Sequence, residues 1–191
     1  MKERIINATI NLFGKYGFNF KVDDIARELS MSKKTIYKYF PSKEDIFKEF
    51  ITDSFESVHE EQHKILKDDL LSTKMKLIAI LNTRSKYEGR ISMETAIDIR
   101  EYYPALSQLI LQEYTAQWEF VDRLLTQGKQ EGVFDELYPN PLIMKLLLHA
   151  IQMTYEKDFL KENHITYRDS ISKSVLIIIE GISTKKGKES I

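Results

Sequence analysis

The stretch that most constrains the fold is residues 22–47, whose pattern predicts two short helices joined by a tight turn, followed by the start of a third. Ile25, Ala26 and Leu29 lie one and four positions apart, so they share one face of the first short helix. The small side chain of Ala26 allows another helix to approach closely. The pattern is interrupted at Ser30, so the first helix of the pair is predicted to end there.

The second helix of the pair is predicted to present a basic, exposed face. Ser32 is a typical N-cap residue, and Ile36 and Phe40 lie four positions apart, so both face inward. From Ser30 to Lys43 the chain has four lysines and no acidic residue. Ammonium groups suit phosphate oxygens and the acceptor atoms of guanine in a major groove that admits one helix. The pair is therefore predicted to be a helix-turn-helix that reads DNA.

The basic charge is local to the first quarter of the chain. The 191 residues carry a net charge of −1. Residues 1–47 hold nine Lys or Arg against six Asp or Glu, which gives +3 and leaves −4 for the remainder. This asymmetry predicts a small DNA-facing domain, residues 1–47, and a larger body, residues 48–191, whose partner is not nucleic acid. The absence of cysteine excludes disulfides and thiolate zinc sites.

Neither a membrane span nor a signal peptide is predicted. A transmembrane helix needs a run of about 18 or more apolar residues, and the chain has none. The first residues, MKERIINATINLF, are amphipathic and charged rather than continuously apolar. We therefore expect a cytoplasmic protein that does not contact a membrane.

Helical periodicity continues to the end of the chain, which predicts an all-α fold. One helix is expected to run from residue 43 to about residue 66 and to join the two domains as a rigid rod. Such a rod suits a protein that reports a distant event to its DNA-binding end. The terminal GKES residues are expected to fray. Further helices are predicted at residues 72–87, 91–102, 104–130, about 140–160 and 167–182.

The last two predicted helices are apolar on more than one side. Residues 175–179 are five consecutive apolar residues, and consecutive residues cannot share one face of a helix. A helix that is apolar all round is buried on more than one side, so we expect these helices to contact a second copy of the chain. The residues predicted at this dimer interface are Leu147, Ile151, Ile178 and Ile182.

The sequence HEEQH at residues 59–63 matches the H-E-x-x-H signature of zinc proteases, in which two histidines one turn apart bind zinc. That chemistry needs a third ligand and an apolar setting, whereas the flanking residues here are charged. Three interpretations are open: a chance match on a solvated helix, coordination of an effector or metal by His59 and His63 in a regulator, and a protease. We favour the first, with no enzymatic activity, no bound metal and no cofactor.

Ten residues of the predicted helix-turn-helix region recur at fixed spacing: Val22, Ile25, Ala26, Ser32, Thr35, Tyr37, Tyr39, Phe40, Lys43 and Ile46. They match a pattern of roughly Thr-Val-x-x-Ile-Ala, Val-Ser-x-x-Thr-x-Tyr-x-Tyr-Phe and x-x-Lys-x-x-Leu. With this pattern, the segment from about residue 3 to residue 47 resembles the DNA-binding domain of the TetR family of bacterial repressors. Two positions depart from the family pattern. Lys21 stands where the family usually has a Thr or Ser that caps the second helix, and Ser30 replaces the usual turn glycine.

The resemblance implies an N-terminal three-helix DNA-binding domain, a larger effector-binding helical body and a four-helix dimer bundle built by the last two long helices. It also implies a homodimeric repressor that binds a palindromic operator in double-stranded DNA and is released by a small-molecule effector. The alternative is a helix-turn-helix protein with a structural or recruiting role and no small-molecule effector. The residues expected to contact DNA are Lys21, Ser32, Lys33, Lys34, Thr35, Tyr37, Lys38 and Lys43.

Large apolar side chains of the middle helices are the candidates for an effector pocket, with His59 and His63 as polar anchors. Aromatic residues on amphipathic helices are more often part of an apolar core, so both interpretations are open. The candidates are Tyr87, Met93, Tyr114, Trp118 and Met153.

Overall fold

A computed structural model of the protein describes residues 1–87, 99, 102–153 and 157–189. Over these ranges the regular elements are helices, and an isolated antiparallel bridge joins Phe134 to Ser183, so the predicted all-α class is confirmed. No helix within the described ranges is long and apolar enough to span a membrane. The helices are α1 (Lys2–Tyr16), α2 (Val22–Glu28), α3 (Lys33–Tyr37), α4 (Lys43–Lys67), α5 (Thr73–Leu81), α6 (Pro104–Gln130), α7 (Asn140–Met153), α8 (Lys157–Glu162), α9 (Tyr167–Ile182) and α10 (Lys185–Glu189), with a 3-10 turn at Gly17–Asn19.

The chain divides into two compact units. The first comprises Met1–Val58 and Arg84–Glu113, and the second comprises His59–Thr83 and Tyr114–Ile191. Helices α4 and α6 each contribute residues to both units. The predicted boundary at residue 47, between a DNA-binding domain and a larger body, concerns function rather than packing and stays a prediction.

Aromatic rings form much of the core of the first unit. Phe13 of α1 and Phe47 of α4 are buried and meet edge-on, with ring centroids 5.0 Å apart. Phe18, in the 3-10 turn, lies against both rings and stacks on Tyr102 at 4.0 Å. Each such aromatic pair contributes about 0.5–1.5 kcal/mol beyond the burial of area. The helices on either side of the predicted DNA-binding pair, α1 and α4, are therefore joined by this aromatic core.

The helix predicted at residues 72–87 ends earlier, at Leu81. The chain that follows is bound to α4 by side chains instead. The ammonium of Lys86 pairs with the Asp53 carboxylate at 2.6 Å, and the hydroxyl of Tyr87 donates to the same carboxylate. Burial alone would raise the pKa of Asp53, but the hydrogen bonds from Lys86 and Tyr87 lower it below its ordinary value.

The core of the second unit is mostly aliphatic. Leu147 of α7 and Ile179 of α9 are fully buried where these two helices pack together. Leu77 of α5 and Leu125 of α6 belong to the same cluster. Burying a side chain of this size contributes about 1.5–3 kcal/mol to stability, so the packing of α7 on α9 is a major source of the unit's stability.

The expectation that the C-terminal residues fray is wrong, because Lys185–Glu189 form α10. The side chain of Lys74 is buried, and its Nζ donates to the carbonyl of Gly187 at 3.0 Å and pairs with Glu180 at 2.7 Å. A Cβ at Gly187 would lie 2.1 Å from the carbonyl oxygen of Val133. Glycine is therefore required where α10 meets the loop that precedes α7.

Candidate DNA-binding site

The turn between α2 and α3 is closed by backbone hydrogen bonds and requires an unusual conformation at Ser30. The backbone N–H of Met31 donates to the carbonyl of Ala26 at 2.9 Å. Ser30 has a φ of 51°, in the left-handed region that favours glycine. The serine keeps the geometry expected of a turn glycine at this position, at the cost of local strain of about 1 kcal/mol.

Helix α3 begins with a side-chain cap. The Ser32 hydroxyl accepts a hydrogen bond from the backbone N–H of Thr35 at 3.1 Å, as predicted for an N-cap serine. The same hydroxyl lies 2.8 Å from that of Thr35. Ile36 is 1% exposed and anchors α3 in the core. Capping and anchoring together fix which side of this short helix faces solvent.

The solvent-facing side of α3 is basic. Its exposed side chains include the lysines at 33, 34 and 38 and Tyr37, which is 43% exposed. The ammonium of Lys33 pairs with Asp23 of α2 at 2.9 Å. The hydrogen bond between them lowers the pKa of Asp23 and raises that of Lys33. Lys34 and Lys38 have no ion pair to the described residues, so their ammonium groups are available to a partner.

Helix α2 begins without a side-chain cap, because the ammonium of Lys21 cannot accept a hydrogen bond from a backbone N–H. The Asp24 carboxylate accepts a hydrogen bond from the backbone N–H of Lys21 at 2.7 Å and so supports the first turn from within the helix. Lys21 is exposed, and its ammonium remains free of ion pairs with the part of the chain that the structure describes.

Lys43, which was predicted to hold a phosphate, directs its ammonium into the protein. Its Nζ donates to the carbonyls of Phe18 and Phe20 at 2.9 and 2.8 Å and lies 3.7 Å from the centroid of the Phe20 ring. Burial lowers the pKa of Lys43 to about 8, and the nearby Asp24 carboxylate opposes this shift. Lys43 therefore ties the start of α4 to the 3-10 turn, and its contact with phosphate stays a prediction.

Tyr87, one of the predicted effector residues, lies in the core of the first unit. Its ring is 6% exposed and meets Phe50 edge-on, with centroids 4.9 Å apart. Its hydroxyl donates to Asp53. These contacts leave little of the Tyr87 side chain accessible to a ligand.

The other described candidates belong to the second unit. Trp118 is half-buried against the aliphatic core, and Met153 is half-buried at the end of α7. Met93 and the side chain of Tyr114 lie outside the described residues. The binding of an effector by any of these residues stays a prediction.

The HEEQH segment presents its polar side chains in different directions. His63 is exposed and its ring meets Phe120 edge-on at 5.6 Å, whereas His59 is half-buried. Within the described ranges no group of three or more His, Asp or Glu side chains is arranged to hold a metal. Gln62 is only 3% exposed, and sequence reasoning missed it. Its spacing from the apolar residues 65–66 is the signal that would have placed it on the inward face.

Two residues predicted at the dimer interface face the core of their own chain. Leu147 and Ile182 are 0% and 6% exposed, so they do not present a surface to a partner. Other apolar residues of the same two helices face solvent instead: Leu146 is 48% exposed and Ile177 is 72% exposed. The dimer itself stays a prediction. The half-buried members of the predicted set are Ile151 and Ile178.

The arrangement of α2 and α3 defines a helix-turn-helix DNA-binding protein, because a capped and anchored helix presents basic side chains at the surface of a compact helical unit. Comparison with known proteins agrees. Residues 5–50 match the family of bacterial regulatory proteins described as the tetR family. The chain is 21% identical over 183 residues to the uncharacterized HTH-type transcriptional regulator YvaF of Bacillus subtilis strain 168, with 96% of each protein covered.

Two solved structures with bound ligands are similar to this chain over nearly their whole length. FadR from Bacillus subtilis, in complex with stearoyl-CoA, is 21% identical with a TM-score of 0.71, over 95% of this chain and 100% of that one. A putative transcriptional regulator from Saccharomonospora viridis, in complex with choline, is 19% identical with a TM-score of 0.76, over 96% and 98%. Residues 5–50 therefore match the DNA-binding region of the tetR family, and the relative that the chain resembles over almost its whole length is named a transcriptional regulator.

Proposed function

We propose that the protein is a homodimeric repressor that binds a palindromic DNA operator through α3 and releases it when a small molecule binds the second unit. The observation that carries this proposal is the exposed basic side of α3, together with the absence of acidic residues between Ser30 and Lys43. The proposed target, chromosomal DNA, implies action in the cytoplasm.

The proposed DNA contacts divide into base readers and phosphate contacts. Lys33 and Lys34 lie on the exposed N-terminal half of α3, where side chains of a recognition helix reach base edges. Lys38 follows at the end of the helix and reaches either a base or the backbone. The residues assigned to phosphates are Lys21, Ser32, Thr35, Tyr37 and Lys43.

The proposed dimer is supported by an apolar stripe on α7 and α9. These helices pack against each other within one chain and still expose apolar side chains. Exposed apolar side chains on two neighbouring helices favour a site of protein association. The stripe residues are Leu142, Leu146, Leu176 and Ile177, which are 50%, 48%, 43% and 72% exposed.

The proposed effector is an apolar or amphipathic small molecule bound in the second unit. The complexes of similar regulators with stearoyl-CoA and with choline support a small-molecule ligand for this chain and supply two chemically different probes. The mostly aliphatic interior of the second unit favours an apolar ligand body over a small cation.

Release of DNA requires the effector to bind more tightly to a conformation in which the recognition helices no longer match successive major grooves. Helix α4 is the proposed lever, since its residues 43–58 belong to the first unit and residues 59–67 to the second. A tenfold loss of operator affinity needs about 1.4 kcal/mol of coupling between the two ligands.

The test is a pair of titrations with stearoyl-CoA and, separately, choline. Operator affinity is measured with and without each compound, and the affinity for each compound is measured with and without operator. An effector must change both affinities by the same factor. A compound that binds equally well with and without operator is a passive occupant, and if no compound in a wider screen shows coupling, the protein has a role without an effector.

A further inference from the structure

The segment of α4 in the second unit, residues 59–67, has one inward face. Gln62 is buried at 3% exposure, whereas its neighbours Glu61 and His63 are exposed. Ile65 and Leu66 follow three and four positions later and pack against the aliphatic core of the second unit. Because residues three and four apart share a helix face, the amide of Gln62 lies on the same apolar face as these two side chains.

The carbonyl oxygen of the Gln62 side chain is not satisfied by the protein around it. Its Oε1 is fully shielded from solvent and has no hydrogen-bond partner among the described residues. A buried acceptor without a donor destabilises the folded state, and a leucine of similar volume would avoid this loss. A buried acceptor that the folded chain leaves without a donor is typical of a binding site.

We propose that the Gln62 amide is the polar contact for the effector, and that the ligand group that meets it is a neutral amide or hydroxyl attached to an apolar chain. This inference rests on the proposed function and makes the ligand chemistry specific. The carbonyl oxygen of Gln62 requires a donor, which an amide N–H or a hydroxyl supplies. Both groups can also accept, so they satisfy the side chain in either orientation of its amide.

The charge of the ligand group follows from the same residue. An amide carries no net charge, so Gln62 cannot neutralise an ion that is brought into this apolar face. A carboxylate or quaternary ammonium placed against it would lose its hydration without gaining a counter-ion. The two sources of a suitable group are the amides of an acyl-CoA arm and the hydroxyl of a long-chain alcohol.

The first measurement needs no ligand. Gln62→Leu should raise the midpoint of thermal unfolding of the full chain by about 2–6 °C, because it removes the unsatisfied amide. The control is Gln112→Leu, at an exposed position of α6, which should leave the midpoint nearly unchanged. If Gln62→Leu is no more stable than this control, the amide is already satisfied and the proposal is overturned.

The second measurement compares three probes at pH 8: stearoyl-CoA, which carries amides, 1-dodecanol, which carries a hydroxyl, and laurate, which carries a carboxylate. Gln62→Leu should weaken the binding of stearoyl-CoA, of 1-dodecanol or of both by about tenfold, the loss of one hydrogen bond, and leave laurate unchanged. Whichever probe loses affinity identifies the source of the group.

The outcomes separate this inference from the proposed function. If a probe releases DNA equally well from the wild type and from Gln62→Leu, the repressor mechanism stands and the role of Gln62 is overturned. If binding of stearoyl-CoA or 1-dodecanol depends on Gln62 but does not change operator affinity, the site stands and the release mechanism fails. If neither stearoyl-CoA nor 1-dodecanol binds the wild type better than the variant, or if all three probes lose affinity equally, the proposal is overturned.

Discussion

The Nζ of Lys33 lies 2.9 Å from the Oδ2 of Asp23, so an ion pair joins the exposed side of α3 to the first turn of α2. Both side chains are about half exposed. Lys33 is one of the residues proposed to read bases, so the Asp23 carboxylate competes with DNA for the Lys33 ammonium.

Removing the competing carboxylate should strengthen DNA binding. In Asp23→Asn, Lys33 is released and one negative charge beside the DNA is lost, so operator affinity should rise by roughly two- to tenfold at low salt. The steepness of the salt dependence should increase by about one released counterion. The control, Glu28→Gln, removes an exposed charge from the same helix without touching Lys33. Equal effects of the two substitutions in fluorescence anisotropy titrations would mean that the ion pair is irrelevant to DNA binding.

The depressed pKa of Lys43 predicts a pH dependence of stability. With a pKa of about 8 in the folded state, against about 10.4 for an ordinary lysine, the unfolded chain binds more protons between these values. The free energy of unfolding should therefore rise as pH increases from about 8 to 10.4, and this contribution is lost as pH falls through 8. Because the side chain is partly exposed, we expect no more than about 1–2 kcal/mol.

Chemical denaturation at a series of pH values tests this expectation. Lys43→Met should flatten the rise in unfolding free energy between pH 8 and 10.4. Lys48→Met, at an exposed position of the same helix, should leave it intact. A rise that persists unchanged in Lys43→Met would assign it to another group.

The left-handed backbone at Ser30 predicts a stabilising substitution. Ser30→Gly relieves the conformational strain at a φ of 51°, and after the greater entropy of glycine in the unfolded chain is allowed for, a gain of up to about 1 kcal/mol remains. Ser30→Ala keeps the strain and should gain nothing. Urea unfolding of the two variants is the measurement, and equal stability of the glycine and alanine variants would show that the turn is unstrained.

The apolar stripe on α7 and α9 predicts where a charge breaks the dimer. Ile177→Asp places a carboxylate in the proposed seam, at a cost of several kcal/mol in association, and should yield monomers that lose operator affinity. The control is Leu137→Asp, because Leu137 is equally exposed, at 74% against 72% for Ile177, but lies in the loop before α7. Sedimentation velocity measures the oligomeric state of each variant. If both variants are dimers, or both are monomers, the interface lies elsewhere.

The sequence was most informative where helical period and local chemistry agree. Ile25, Ala26 and Ile36 are buried and Ser32 caps α3, because these outcomes depend on residues no more than a few positions apart. The sequence was less informative where long-range contacts decide. The direction of Lys43 is fixed by carbonyls more than twenty residues earlier in the chain, which spacing alone does not reveal.

The orientation of an apolar helix about its own axis was also hard to predict from the sequence. In α9, which has apolar residues on every side, period alone does not distinguish the inward Ile179 from the outward Ile177, so the predicted dimer residues fell partly in the core. On α4 the HEEQH pattern drew attention to His59 and His63, whose binding of an effector stays a prediction, whereas the helical phase of residues 65–66 indicates that Gln62 faces inward.

The central claim is that two copies of α3 read DNA through their exposed lysines, and selection of bound duplexes from a randomised pool tests it most directly. The wild type should enrich an inverted repeat whose half-sites are centred about one helical turn, or a multiple of it, apart. Lys34→Ala should retain that spacing and relax the preference at one base pair in each half-site, at a cost of about 1–3 kcal/mol. Enrichment of no sequence, enrichment of a single unrepeated site, or an unchanged base preference in Lys34→Ala would contradict the account.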